Sequence, residues 1–129
     1  RATFSSRDQA EQRFAVKHPF KKWAPDCLSD YLEDGLHEHG SDTVGLACAP
    51  AWEAANYAAH RYDFWAAYKQ IRAQGTPPAQ LLMAAKGSTV HSSALKRFAA
   101  DGARATAVPG TSHLLLMEKP HLCANHVTF

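Results

Sequence analysis

The segment from Ala103 onward holds the residues best placed to do chemistry. An alternating run, ARATAV, leads into the turn signal Pro109-Gly110 and then into Thr111-Ser112-His113. This pattern predicts a short strand that delivers one histidine onto a loop. An imidazole titrates near neutral pH, so it can accept and return a proton during a reaction. A lone loop histidine can equally be a solvated or backbone-bonded residue, so the surrounding elements must decide between these interpretations.

A strand and a helix precede that final strand. The segment 80–85 (QLLMAA) is an apolar run bounded by breakers, which predicts a strand buried on both faces. Residues 92–100 have a helical pattern with Leu95 and Phe98 facing inward, and Ala103–Val108 is the next strand. Strand, helix and strand with short links form a βαβ unit, which implies parallel pairing.

The chain before residue 75 has the patterns of helices. Ser6 begins a capping box that opens the first helix, and His18-Pro19 is expected to end it. Pro25 begins a second helix that we expect to run to Gly40, with an apolar stripe formed by Leu28, Tyr31, Leu32 and Leu36. Further helices are predicted from Pro50 and from about Asp63, whereas Thr43–Cys48 is ambiguous. The breakers Gly75-Thr76-Pro77-Pro78 divide an all-helical segment, 1–74, from a βαβα segment, 75–129.

Composition excludes several classes of protein. The chain has 129 residues and a net charge of +2, and it has no basic run, which argues against a nucleic-acid partner. Its apolar runs are too short for a transmembrane helix, so no membrane partner is expected. The first residue is Arg1, which indicates processing or excision from a longer chain. The three cysteines are widely spaced and form no CxxC motif: Cys27, Cys48 and Cys123. This spacing favours free thiols and weakly favours a cytoplasmic location for the protein.

We expect no metal and no cofactor. Two histidine pairs have spacings that could suggest a metal site, His37-Glu38-His39 and His121…His126. If the first pair lies on a helix, its alternate residues do not face together, and a five-residue gap suits one helix face poorly.

The C-terminal part of the chain resembles the end of an α/β-hydrolase. Residues 77–129 match the last two strands and last two helices of that superfamily through the motifs LLMAAKG and PGTSHLLLMEKP, in which Pro-Gly, the histidine and Glu-x-Pro fall at the family's spacing. Residues 1–74 resemble the helical lid of such enzymes, with segments such as FSSRDQAEQRF and GLACAPAWEAANY. The resemblance implies an α/β fold in which a helical lid, 1–74, precedes a βαβα segment, 75–129, that completes a mostly parallel sheet.

The resemblance also implies that His113 is the general base of a catalytic triad. It would take a proton from a serine hydroxyl, or activate water against an ester formed on an aspartate. In many relatives the triad acid follows the strand equivalent to Leu81–Ala85, but the loop here reads Lys86-Gly87-Ser88-Thr89. Ser88 stands at about the acid's place and cannot compensate an imidazolium as a carboxylate can. The acid therefore either follows an earlier core strand, before Arg1, or has been lost.

The nucleophile of such a triad is not found in these 129 residues. Ser112 is too close in sequence to His113 and lacks the Gly-x-Ser-x-Gly setting of a nucleophile elbow. The nucleophile and the oxyanion hole are expected on a missing N-terminal segment or a second chain. Glu118 is expected to bond locally and cap the helix that begins near Pro120.

Four aromatic residues are candidates for substrate binding, although such residues are also common in plain core: Trp23, Trp52, Trp65 and Tyr68. The sequence thus predicts the C-terminal portion of an esterase-like α/β-hydrolase that acts on a small ester, lactone or related acyl substrate once complemented. Hydrolysis of epoxide, carbon–halogen or carbon–carbon bonds uses the same fold, and the identity of the nucleophile decides between them. Two alternatives stay open: an inactive hydrolase-like binding or regulatory module, and an independent helical protein whose tail matches by chance.

Overall fold

The structure is a computed structural model that describes residues 2–59 and 63–126. Two compact units can be separated by their internal contacts. The first comprises residues 1–60 with 117–120, and the second comprises residues 61–116 with 121–129.

The first unit combines helices with a small sheet. Its elements in chain order are β1 (Thr3–Phe4), α1 (Arg7–Ala15), a 3₁₀ helix (Phe20–Lys22), α2 (Pro25–Asp34), β2 (Leu36–Glu38), β3 (Val44–Leu46) and α3 (Pro50–Ala58). The strands form an antiparallel sheet in the order β1-β3-β2. The prediction of an all-helical segment was therefore wrong in this respect: these strands have only two or three residues each, too few to show a period-two pattern.

The helix starts in this unit follow their sequence signals. The Ser6 hydroxyl accepts a hydrogen bond from the Gln9 backbone N–H at 3.1 Å, which confirms the predicted N-cap. Helices α2 and α3 begin with Pro25 and Pro50 as predicted.

The end of α2 differs from the prediction. The helix stops at Asp34 with Gly35 as its C-cap, well before Gly40. Leu36 is the first residue of β2 and not part of the helical stripe. Leu36 lies four positions after Leu32, and this spacing fits a helix. In the structure the two side chains share one hydrophobic core, but Leu36 reaches it from a strand.

The core of the first unit lies between α1, α2 and the sheet. Five buried side chains form it, namely Phe4, Ala10, Leu32, Leu36 and Val44. A series of aromatic rings extends from this core, with centroid distances of 4.5 Å between Phe14 and Phe20 and 4.8 Å between Phe20 and Trp23. These half-buried rings contribute apolar contact area between α1, the 3₁₀ helix and the residue that follows it.

The rest of the chain contains the parallel sheet. Its elements are α4 (Phe64–Ala73), β4 (Gln80–Ala84), α5 (Ser92–Ala100), β5 (Arg104–Val108), α6 (Leu115–Glu118) and α7 (Pro120–Asn125). Strands β4 and β5 pair in parallel, in a register that aligns Gln80 with Arg104 and Ala84 with Val108. The predicted βαβ unit is thus confirmed.

Among the described residues, β4 is not buried on both faces as predicted. Only Ala84 is buried, while Leu81, Leu82 and Met83 are half-buried. In the described residues, β4 and β5 pair only with each other. The outer edge of each strand is therefore unpaired, although the strands are apolar enough to lie in a covered sheet.

Helix α4 packs on α5 within the second unit. The ring of Phe98 lies 4.8 Å from that of Trp65 and 5.2 Å from that of Tyr68, measured between centroids. Helix α4 therefore belongs to the same compact unit as the βαβ elements, although the sequence predicted the boundary between the two segments near residue 75.

Candidate functional site

The loop that carries His113 is anchored at its start by the end of β5. Val108 is buried, and the Pro109-Gly110 turn follows it with Gly110 at φ +75°, a conformation that favours glycine. The buried Thr111 hydroxyl then donates a hydrogen bond back to the Val108 carbonyl at 2.9 Å. This bond closes the turn and sets the direction in which the chain leaves the strand.

The loop is anchored again on its far side. The Ser112 hydroxyl accepts a hydrogen bond from the Leu114 backbone N–H at 3.2 Å, just before α6 begins. Leu115, the first residue of α6, is buried against Val108 and Cys123. The loop is therefore fixed on both sides of His113, while His113 itself is exposed. The backbone that carries this imidazole is therefore held in place, and the imidazole is open to reactants.

The loop of Ser88 lies at the same edge of the sheet. The Ala85 backbone N–H donates to the Val108 carbonyl at 3.1 Å, so the ends of β4 and β5 are in direct contact. Ser88 follows β4, is half-buried, and accepts a hydrogen bond from the Val90 N–H through its hydroxyl at 3.1 Å. The carboxyl ends of parallel strands are where α/β proteins place their sites, and here the loops that follow this edge carry a histidine and a serine.

Two of the predicted substrate-binding aromatics lie together in the second unit. The rings of Trp65 and Tyr68 are 6.0 Å apart and line an open recess of about 200 Å³ with Arg72, Arg97 and Asp101. The Arg97 guanidinium lies 3.8 Å from the centre of the Trp65 ring, a cation–π contact. The Tyr68 hydroxyl donates to Asp101 Oδ2 at 2.6 Å, which engages its polar group within the protein.

The other two aromatics belong to the first unit. Trp23 is half-buried and packs against Phe20 and Tyr31, and its indole N–H is buried with no hydrogen-bond acceptor among the described residues. Trp52 is 70 % exposed on α3. Trp23 is thus half-buried among aromatic rings of the first unit, and Trp52 lies on its surface.

Asp101 is a charged residue that sequence reasoning treated only as a helix end. It accepts hydrogen bonds from Tyr68 and from Arg72, and these bonds hold the pKa of its carboxyl below the ordinary value. The bond to Asp101 in turn raises the pKa of the Tyr68 hydroxyl. Nothing in the sequence indicated this cluster, since Tyr68 and Asp101 are 33 positions apart.

A further titratable group is Tyr31, beside an open cavity of about 630 Å³ whose lining includes Asp30, Asp34 and Glu53. Burial raises the pKa of the Tyr31 hydroxyl, and the charge of Glu53 adds to the effect.

Glu118 is buried at the end of α6, just ahead of Pro120, the first residue of α7.

In the described residues, no three His, Cys, Asp or Glu side chains are grouped so that they could hold a metal ion. In the same residues, no helix has the length and apolar character needed to cross a membrane.

Comparison with known proteins identifies the fold. The crystal structure of E-2-(acetamidomethylene)succinate hydrolase superposes with a TM-score of 0.73 at 19 % sequence identity, over 97 % of this chain and 45 % of that one. The chain thus has the fold of part of an α/β-hydrolase and spans less than half the length of that enzyme. No family model and no curated protein sequence matches the chain.

Proposed function

We propose that this chain is the C-terminal portion of an α/β-hydrolase in which His113 is the general base of covalent catalysis. The observation that carries the proposal is the loop of His113: an exposed imidazole, held between two buried residues at the carboxyl end of a parallel strand. A base in such a site must be both accessible and fixed in position, because proton transfer needs hydrogen-bond distance in the reacting complex.

The nucleophile and the oxyanion hole are assigned to a partner polypeptide that pairs with the second edge of β4. This edge has no strand partner among the described residues, and the half-buried Leu81 and Leu82 would be covered by a neighbouring layer. The partner is either an N-terminal segment of the same protein or a second chain. It would also supply the triad acid, since the loop 85–90 contains no carboxylate.

The reaction would proceed in two steps. The nucleophile attacks the acyl carbon while His113 accepts its proton, and His113 then passes this proton to the leaving group. Water then attacks the covalent intermediate with His113 again accepting a proton, which releases the acid product and restores the nucleophile. The residues of this chain contribute the proton transfers and the rigid support of the imidazole.

The substrate class proposed is a small ester, lactone or related acyl compound. The structural neighbour's name identifies it as a hydrolase of an acetamido compound, which supports an acyl bond as the one cleaved. The aromatic recess of Trp65 and Tyr68 would provide apolar contacts for the substrate. We place the protein in the cytoplasm, in keeping with three free cysteines.

The first test is the mass of the native protein compared with its mass after denaturation, combined with an aryl-ester assay. We expect the native species to contain a polypeptide with a nucleophile elbow and to hydrolyse the ester. His113→Ala should reduce kcat by about a thousandfold or more, whereas the exposed His91→Ala should leave it unchanged. Full activity in His113→Ala would overturn the assignment of the base.

The alternative function is a catalytically inactive hydrolase-like module that binds a partner through the same sheet edge. Ser88 favours this alternative, because it stands where many relatives have the triad acid. An assembly that keeps its partner but turns over no acyl substrate would support the inactive module. Ester hydrolysis that is lost in His113→Ala would exclude it.

A further inference from the structure

Two histidines lie side by side on the outer face of the three-stranded sheet. His37 is in β2 and His39 follows it, and their ring centroids are 6.1 Å apart. The sequence-based expectation placed these residues on a helix, where alternate side chains diverge. On an extended strand, residues two apart point to the same face, so the geometry of the pair is the opposite of the one expected.

The face beneath these rings is open because of a glycine. His37 pairs with Gly45 across β2 and β3, and Thr3 pairs with Gly45 from the other side. A Cβ atom at Gly45 would lie 3.4 Å from His39 Cβ and 3.5 Å from His37 Cε1, so both side chains lean over this position. The two imidazoles thus share one surface of the sheet.

The backbone around the second histidine is held in place. The His39 backbone N–H donates to the Thr43 carbonyl at 2.7 Å, and the Thr43 hydroxyl donates to the His39 carbonyl. Both imidazoles are exposed, while Glu38 points to the opposite face. The donors that this face offers to a ligand are therefore the two imidazoles.

We propose that His37 and His39 form a two-histidine binding site for a late divalent transition metal ion, of the class of Ni²⁺, Cu²⁺ and Zn²⁺. Neutral imidazole is a preferred ligand of these ions, with metal–nitrogen distances of about 2.0–2.1 Å for zinc. The ring centroids are 6.1 Å apart, and rotation about the side-chain bonds of these two exposed residues would bring one nitrogen of each ring onto a shared ion. The remaining coordination positions are open to water or to a donor from another molecule.

The test is calorimetric titration of the protein with Ni²⁺, in a Cys48→Ser background because the exposed Cys48 thiol also binds such ions. We expect one Ni²⁺ per chain. His37→Ala and His39→Ala should each weaken binding by about tenfold to a hundredfold, because each removes the chelate advantage of the second ligand. The exposed His121→Ala serves as the matched control and should bind Ni²⁺ like the parent.

A spectroscopic measurement separates a two-nitrogen site from other binding. With Cu²⁺ at less than one equivalent, electron paramagnetic resonance should show coupling to two nitrogens in the parent and to one in either variant. Circular dichroism should show the same fold in all variants, since both histidines are exposed. Absence of Ni²⁺ binding, or equal binding by parent, His37→Ala and His39→Ala, would overturn the site.

Discussion

Arg72 Nε lies 2.6 Å from Asp101 Oδ2, so a residue near the end of α4 is paired with the residue that caps the end of α5. The same oxygen accepts the Tyr68 hydroxyl at 2.6 Å. Arg72 also donates to the Thr76 carbonyl, in the segment that links α4 to β4. The Asp101 carboxylate thus joins α4 and α5, and Arg72 also holds the segment that leads into the parallel sheet.

The first prediction concerns acid stability. Because hydrogen bonds lower the pKa of Asp101, its stabilising contribution is present above the pKa of an unfolded aspartate, about 3.9, and is lost as the pH falls towards the lower folded value. Asp101→Asn should therefore be less stable than the parent at pH 7, and the difference in melting temperature should shrink below pH 4. Thermal unfolding from pH 2 to pH 7 measures this, with the exposed Asp30→Asn as control. A difference that does not depend on pH would contradict the assignment.

The second prediction concerns the end of α2. Arg7 donates from its guanidinium to the carbonyls of Leu32 at 2.6 Å, Glu33 at 3.2 Å and Leu36 at 3.0 Å. These carbonyls lie at or just beyond the helix C-terminus, where a cation is favourable.

Arg7→Met keeps the apolar stem and removes this cap, so it should reduce the free energy of unfolding by about 1–2 kcal/mol. Urea unfolding followed by circular dichroism measures the change. Lys17→Met, at an exposed position, is the control and should have little effect. Equal stability of Arg7→Met and the parent would show that these bonds contribute nothing in solution.

The sequence predicted those elements whose boundaries are set by local chemistry. The N-cap at Ser6, the prolines that open α2 and α3, and the limits of α5 all depend on residues within a few positions of the boundary. The fold class could be predicted because the βαβ pattern and the motif around His113 are each continuous in the sequence.

The sequence could not predict features that depend on pairing over long distances. Strand β2 is defined by its pairing with β3, and without that partner Leu36 fits a helical stripe just as well. The same error reversed the expected geometry of His37 and His39. The cluster of Tyr68, Arg72 and Asp101 depends on the packing of α4 on α5, and the sequence pattern within either helix does not predict that packing.

The third prediction concerns the support of His113. The buried Thr111 hydroxyl donates to the Val108 carbonyl, which also accepts the Ala85 N–H. Thr111→Val keeps the shape of the side chain and removes one hydrogen bond, so it should lower the free energy of unfolding by about 0.5–1.5 kcal/mol. If His113 is the base, kcat should fall while KM changes little, because the loop that holds the imidazole loosens. Thr89→Val, at an exposed position beside the other loop, is the control, and an unchanged kcat in Thr111→Val would argue against this support.

The fourth prediction concerns the turn that precedes the histidine. Gly110 has φ +75°, and an added Cβ would meet no atom within 4 Å, so any cost of a side chain there comes from the backbone conformation alone. Gly110→Ala should destabilise the protein by about 1 kcal/mol, since residues other than glycine rarely adopt this left-handed conformation. Gly110→Asn should cost less, because asparagine tolerates that conformation better than alanine does. Urea unfolding of both variants tests this, and an equal or greater loss in Gly110→Asn would show that the turn is limited by something other than its φ angle.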